Sequence, residues 1–222
     1  MKCLVLAAHP DDEIYGAGGT IARYTQMGAE VYVVILTEGC STQYPGQDGM
    51  KERKRREALA ANQIIGTREV IFYELPDMKL DTLAHVEINR IIEDCIKKLK
   101  PAVVFTHHHG DVNKDHRLVF DSTLVAVRPV AGCPVKKLYT YEVPSSTEWA
   151  TGAQSCFIPN TYFDISPVVE QKIAAIKAYS SELRPFPHPR SEQAVRLHHQ
   201  CRGVACSMKY AEAFTLIREL GF

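Results

Sequence analysis

Residues 3–13 read Cys-Leu-Val-Leu-Ala-Ala-His-Pro-Asp-Asp-Glu. Cys3 to Ala8 is an uninterrupted apolar run of strand length, stopped by Pro10, and predicts a buried β-strand. The chain then delivers one imidazole and three carboxylates between His9 and Glu13. In an open α/β sheet, ligands bind in the loop just past a strand's carboxyl end. Imidazole and carboxylate gathered there indicate a metal or an acid–base pair.

The chain after this loop alternates helix and strand. Gly16 to Met27 reads as a helix with Gly28 as its stop signal. Glu30 to Leu36 is β-branched and apolar, a second buried strand. Residues 37–50 read as a polar loop, and 51–65 as a helix whose first half is basic (Lys51, Arg53, Lys54, Arg55, Arg56). Glu69 to Tyr73 is a third strand. Thr82 to Lys100 is a helix whose Ile88, Ile91, Ile92, Cys95, Ile96 and Leu99 fall on one face. Ala102 to Thr106 is a fourth strand, and a helix follows from Asp115 to Val127. Lys137–Val143 and Thr161–Ile165 read as further strands, and Ser166–Tyr179 as a helix opened by Ser-Pro. Residues 183–190 carry Pro185, Pro187 and Pro189, which excludes helix or central strand. Ser191 to Leu220 reads as largely helical.

This alternation predicts a single α/β domain over 1–222, Rossmann-like, with a mostly parallel sheet and helices on both faces. Right-handed crossovers place the loops after strands one and four on the same edge. The metal site is therefore expected at the carboxyl edge of the strands.

Lys+Arg and Asp+Glu both total 26, so the formal charge is zero. That gives no support for nucleic acid or an anionic membrane as a general partner. The apolar run after Met1-Lys2 is too short for a signal peptide, and no later run is long enough to span a bilayer. The seven cysteines are odd in number and form no Cys-x-x-Cys, which points to reduced thiols in a cytoplasmic protein.

The fourth strand is followed by His107-His108-His109-Gly110-Asp111-Val112-Asn113-Lys114-Asp115-His116. Two loops on one sheet edge thus share an unusual density of His and Asp. His9 and Asp12 from the first and His116 from the second make a two-plus-one ligand set of the size catalytic zinc takes. Asp11, free to point elsewhere, would face the water. The competing reading is that Asp11-Asp12-Glu13 and Asp115-His116 serve as helix caps and first-turn charges. Asp77, after strand three, lies at the same edge and suits either sugar hydroxyls or a turn. Trp149 and Tyr44 are candidate sugar-stacking faces. Strand one leading into Gly16-Ala17-Gly18-Gly19 raises a dinucleotide-binding or methyltransferase-type reading. Ile21 stands where the third glycine is required, and the acidic loop opposes a pyrophosphate. The glycines read instead as letting the helix pack close to the metal loop.

Ala8-His9-Pro10-Asp11-Asp12-Glu13, with Gly16-Ala17-Gly18-Gly19 and Asn113-Lys114-Asp115-His116-Arg117, resembles the PIG-L/LmbE-like zinc-dependent N-deacetylase superfamily. The resemblance covers most of residues 1–128. Members of that superfamily remove acetyl groups from N-acetylglucosamine-containing compounds, including mycothiol, bacillithiol and glycosylphosphatidylinositol precursors. Glu142–Trp149 and Arg184–Arg190 resemble a bacterial branch associated with surface-polysaccharide sugars.

The resemblance implies Zn2+ on His9, Asp12 and His116, Asp11 as general base, and Asp115 orienting a neighbouring imidazole. It implies a substrate-contacting cation on the 51–65 helix, Arg53 or Arg56, although Lys54 occupies the matching register. One departure stands out. Relatives carry a histidine three residues before the last ligand, where this chain has Asn113. An amide can donate to an oxyanion but cannot supply a proton at neutral pH. The vacant role falls to His188 on the proline-flanked segment, or to His107, His108 or His109. Asn113 and His107 are then expected as substrate contacts. The expected partner is a small N-acetylated sugar, with a homo-oligomer left open. The alternatives are a non-catalytic metal- or sugar-binding module and a deacetylase of a thiol-glucoside precursor.

Overall fold

The computed structural model describes residues 1–47 and 49–221, so position 48 of the expected 37–50 loop lies outside the described residues. The strands are β1 (Lys2–Ala7), β2 (Glu30–Thr37), β3 (Glu69–Leu75), β4 (Val103–His107), β5 (Lys137–Tyr141), β6 (Thr161–Asp164) and β7 (Ala211–Glu219). The helices are α1 (Asp12–Gln26), α2 (Met50–Ile65), α3 (His85–Leu99), α4 (Lys114–Ala126), α5 (Val169–Ala178) and α6 (Glu192–Val204). The strands form one seven-stranded sheet in the order β3-β2-β1-β4-β5-β7-β6. The first five of these strands run parallel, while β7 is antiparallel to both β5 and β6.

Side chains alternate across β1. Cys3, Val5 and Ala7 pack with Ile14, Ala17 and Ile21 of α1, Ala58 and Ile65 of α2, and Ile173 and Ile176 of α5. Leu4 and Leu6 pack on the opposite face with Ile88, Ile92 and Ile96 of α3 and Val119 of α4. Burial on both faces explains why β1 reads as a continuous apolar run rather than an alternating one. The order reverses at β1, since β2 lies on one side and β4 on the other. That switch point opens a crevice beyond the carboxyl ends of β1 and β4.

Two boundaries differ from expectation in ways that matter. α1 begins at Asp12, not Gly16, so Asp12 and Glu13 occupy its first turn. The segment 191–220 is not continuous helix: α6 ends at Val204 and β7 runs from Ala211 to Glu219. Ala, Glu, Leu and Arg in β7 have strong helical propensity, but insertion between β5 and β6 overrides it. Among the described residues, no helix is long and apolar enough to cross a membrane.

The glycines of α1 serve close packing, as expected, but against other partners than the metal loop. A Cβ at Gly16 would lie 2.2 Å from a ring carbon of Tyr141, and one at Gly19 would meet Ile165 at 2.7 Å and Glu212 at 3.0 Å. Glu212, from β7, reaches the middle of α1 and accepts from the amides of Gly19 (2.8 Å) and Thr20 (2.6 Å). Lys172, from α5, donates to the Tyr15 carbonyl at 2.8 Å and pairs with Glu212. Both side chains are buried. Burial drags the Lys172 ammonium below its ordinary value, and Glu212 works against that shift. The pair clamps α1, and with it the loop that precedes it. Lys172→Met should leave a buried unpaired carboxylate and cost about 3–5 kcal/mol. Lys172→Met/Glu212→Leu should cost less than the sum of the single changes, read by urea unfolding.

Candidate metal centre and its cavity

Pro10 and Asp11 turn the chain sharply between β1 and α1. Asp11 has φ 113° and ψ −26°, a left-handed conformation that costs a non-glycine residue about 1–3 kcal/mol. Its carbonyl accepts from Ile14 and Tyr15 (both 3.0 Å), and its amide donates to Glu13 Oε2 at 3.1 Å. Glu13 is fully buried, and Asn62 and Tyr179 each donate to its Oε1 at 2.7 Å. Burial raises its carboxyl to about 7, against those donors. Glu13 therefore braces the turn in addition to opening the helix.

Three ligand atoms converge beneath this turn. His9 Nδ1 is 3.2 Å from Asp12 Oδ2 and 3.3 Å from His116 Nε2. His116 Nε2 is 3.3 Å from Asp12 Oδ2. Tetrahedral bonds of about 2.1 Å place ligand atoms roughly 3.4 Å apart. The spacing therefore suits one small cation held by His9, Asp12 and His116. The other Asp12 oxygen, Oδ1, is buried without a hydrogen-bond partner, as a carboxylate reserved for a cation would be.

Each imidazole is oriented from behind by a carboxylate. Asp115 Oδ2 lies 3.3 Å from His9 Nε2, and Asp111 Oδ2 lies 3.1 Å from His116 Nδ1. Asp77 adds a second carboxylate, 3.6 Å from His9 Nε2. Such partners fix the tautomer and direction of metal-binding histidines. Burial opposes charge on both rings, yet the carboxylates prevail. Asp115 and Asp12 raise His9 to about 10, while Asp12 and Asp111 raise His116 to about 9. The cluster demands positive charge, and a proton or a metal ion can satisfy it.

A cavity of about 660 Å³ opens over these residues. Its wall includes His9, Asp11 and His116, with Tyr44, Lys54, Asn113, Trp149, Glu182, His188 and Arg190 around them. Of the substrate contacts expected from sequence, Asn113 lines this cavity, while Arg53, Arg56, Asp77 and His107 do not. On α2, Lys54 is the buried residue that faces the cavity. Arg53 pairs with Glu57 (3.0 Å) on the exposed side, and Arg56 is exposed, because neighbours on a helix diverge by about 100°. Asp77 and Asp115 sit buried behind His9. His107 is fully buried, accepts from the Ala8 amide at 2.9 Å, and stacks on His116 with ring centroids 3.9 Å apart. His108 and His109 bond instead to the carbonyls of Ser155 and Gln154, each at 3.1 Å.

Asn113 caps α4 by accepting from the Asp115 amide at 2.9 Å, so its oxygen is already engaged. His188 Nδ1 accepts from the Arg190 amide at 3.1 Å. Burial and nearby Arg190 lower its pKa, so at neutral pH it presents an N–H at Nε2.

Asp111, Glu182 and Arg190 escaped the sequence reading. Asp111 is buried, accepts from Thr147 Oγ1 (2.6 Å) and the Asn113 amide (2.8 Å), and lies in the same loop as the tandem histidines. Spacing alone could not separate it from a turn residue. Burial would raise its carboxyl, but His116, Ser146 and Thr147 hold it well below the usual range. Asp111→Ala should weaken divalent metal binding by about 10–100-fold while the fold persists, measured by competitive chelator titration.

Comparison with known proteins identifies the family. Residues 4–127 match the model of the PIG-L family, described as GlcNAc-PI de-N-acetylase. The chain is 31% identical over 188 residues to the uncharacterized deacetylase YaiS of Escherichia coli, covering 80% of this chain and 90% of that one. It is 29% identical to the diacetylchitobiose deacetylase of Thermococcus kodakarensis, covering 97% and 83%. Among solved structures, the 4-carboxy-2-hydroxymuconate hydratase GalB of Pseudomonas putida shares the fold, with a TM-score of 0.79 at 24% identity over 100% of this chain and 98% of that one. The chain belongs to the PIG-L family of de-N-acetylases.

Proposed function

We propose that this protein is a zinc-dependent N-deacetylase that hydrolyses the acetamide of an N-acetylated amino sugar or its conjugate. The observation that carries the reading is the convergence of His9, Asp12 and His116 at tetrahedral spacing beside a further carboxylate, Asp11, in the wall of a sugar-sized cavity. The relatives named as deacetylases support the reaction class. A divalent cation at this place would polarise the amide carbonyl and make water a stronger nucleophile.

The side chains divide the remaining work. Asp11 accepts the proton of the attacking water and passes it to the amine as the C–N bond breaks, leaving acetate and the free amino sugar. Burial pushes the Asp11 carboxyl above the usual carboxylate range, and the Arg190 guanidinium beside it works against that shift. Asp115 and Asp111 hold His9 and His116 in place. His188 donates from Nε2 into the cavity and steers a substrate hydroxyl or carbonyl. Asn113 offers an amide N–H from the opposite wall. Trp149, 55% exposed at the rim and edge-on to His188, supplies an apolar face for a sugar ring. Lys54 marks the cationic side of the cavity, taking the part first expected of Arg53 or Arg56.

The fold also carries a hydratase, so the reaction has to be assayed directly. Zinc-loaded protein should release acetate from at least one member of a panel of free, nucleotide-linked and aglycone-linked N-acetylhexosamines. Asp11→Asn should retain the metal and lose about 10²–10⁴-fold in kcat. No acetate from any substrate, together with hydration of an unsaturated dicarboxylate, would refute the deacetylase reading. Activity unchanged in Asp11→Asn would remove the base assignment.

A further inference from the structure

The segment between α5 and α6 crosses the cavity as an irregular strap. Pro185, Pro187 and Pro189 deny it regular hydrogen bonding, and Ser191 anchors its end as the cap of α6. The strap carries Glu182, Arg184, His188 and Arg190 into the cavity wall. Arg190 is the best held of these. Its Nη1 donates to Asp11 Oδ2 at 2.7 Å and to Glu182 Oε2 at 2.9 Å, and its Nε donates to Ser145 Oγ at 2.8 Å. The guanidinium lies over the Tyr15 ring at 5.4 Å, and the Tyr15 hydroxyl donates to the Arg190 carbonyl at 3.2 Å. Glu182 is fixed in turn by Lys54 at 2.6 Å and by the Tyr44 hydroxyl at 3.3 Å.

The two oxygens of Asp11 are thereby made different. Oδ2 is occupied by the guanidinium. Oδ1 accepts no hydrogen bond among the described residues, and Asp11 lines the cavity. An aspartate rotates freely about two bonds unless something holds it. Here the backbone sits in a sparsely populated conformation and one oxygen is tied to a rigid, planar donor that is itself tied at three further points. Lysine, a single point charge on a flexible stem, cannot reproduce that fork.

We propose that Arg190 is a positioning residue: it holds Asp11 by Oδ2 so that Oδ1 faces the reacting water, and the proline-rich strap exists in part to deliver it. Alternating charges from Lys54 through Glu182 and Arg190 to Asp11 make the strap and the α1 turn one electrostatic unit. Arg190 touches neither water nor substrate in this role and acts only through Asp11.

The kinetic part of this inference rests on the deacetylase reading, whereas the ion pair does not, so the test has two arms on the metal-loaded protein. In thermal unfolding, Arg190→Met should lower the midpoint more in the Asp11 background than when Asp11 is already Asn. In the acetate-release assay, Arg190→Ala should lower kcat by about 100-fold with KM within a few-fold. Arg190→Lys should recover only part of that loss, and added guanidinium ion should partly rescue Arg190→Ala. An equal midpoint shift in both backgrounds would overturn the proposal. A loss carried by KM alone, or wild-type kcat in Arg190→Ala, would overturn it as well. If the wild type releases no acetate, the deacetylase reading fails, and the unfolding arm still decides whether Arg190 holds Asp11.

Discussion

One carboxylate shared between two imidazoles organises the molecule. Asp12 Oδ2 stands 3.2 Å from His9 and 3.3 Å from His116, residues brought together from loops more than 100 positions apart. In the buried crevice beyond β1 and β4 such a cluster is unstable without compensating positive charge. Asp111, Asp115 and Asp77 deepen that requirement rather than relieve it. Carboxylates concentrated around two histidines fit a cation, and the left-handed turn at Asp11 stands immediately before Asp12.

Holding that turn involves most of the structure. The parallel strands set where β1 and β4 end, and so where His9 and the second loop begin. Glu13 braces the turn from α1, with Asn62 of α2 and Tyr179 beyond α5 completing its hydrogen bonds. Lys172 and Glu212 fix the middle of α1 from α5 and β7. The strap then closes over the front and ties Asp11 through Arg190. The cavity's chemistry thus depends on C-terminal elements lying beyond the residues that carry the metal-site motifs.

The sequence was most legible where local pattern and global role coincide. The buried strand, the helix of α3 and the ligand-bearing loops announce themselves through apolar runs, 3.6-residue periodicity and a density of His and Asp that turns alone do not require. The reading failed where tertiary context decides. β7 mixes helix formers with Phe214, Thr215 and Ile217, and its place between β5 and β6 settles it as a strand. Arg53 and Arg56 satisfied the expectation of a cation on α2, but helix phase turns Lys54 to the cavity instead. His107 stood in a promising triplet, yet stacking on His116 and the bond from Ala8 consign it to the interior. Arg190 lay inside the Arg184–Arg190 stretch that resembles a bacterial branch, but its contact with Asp11 left no local mark, since the two are 179 positions apart.

The central claim is that His9, Asp12 and His116 share one metal ion. Anomalous diffraction from crystals of the protein loaded with one equivalent of zinc, recorded on both sides of the zinc edge, tests it most directly. The account predicts a single dominant peak within bonding distance of His9 Nδ1, Asp12 Oδ2 and His116 Nε2, about 2.1 Å from each. Loaded protein with no peak there, or with its zinc held only by the surface cysteines or histidines, would contradict it.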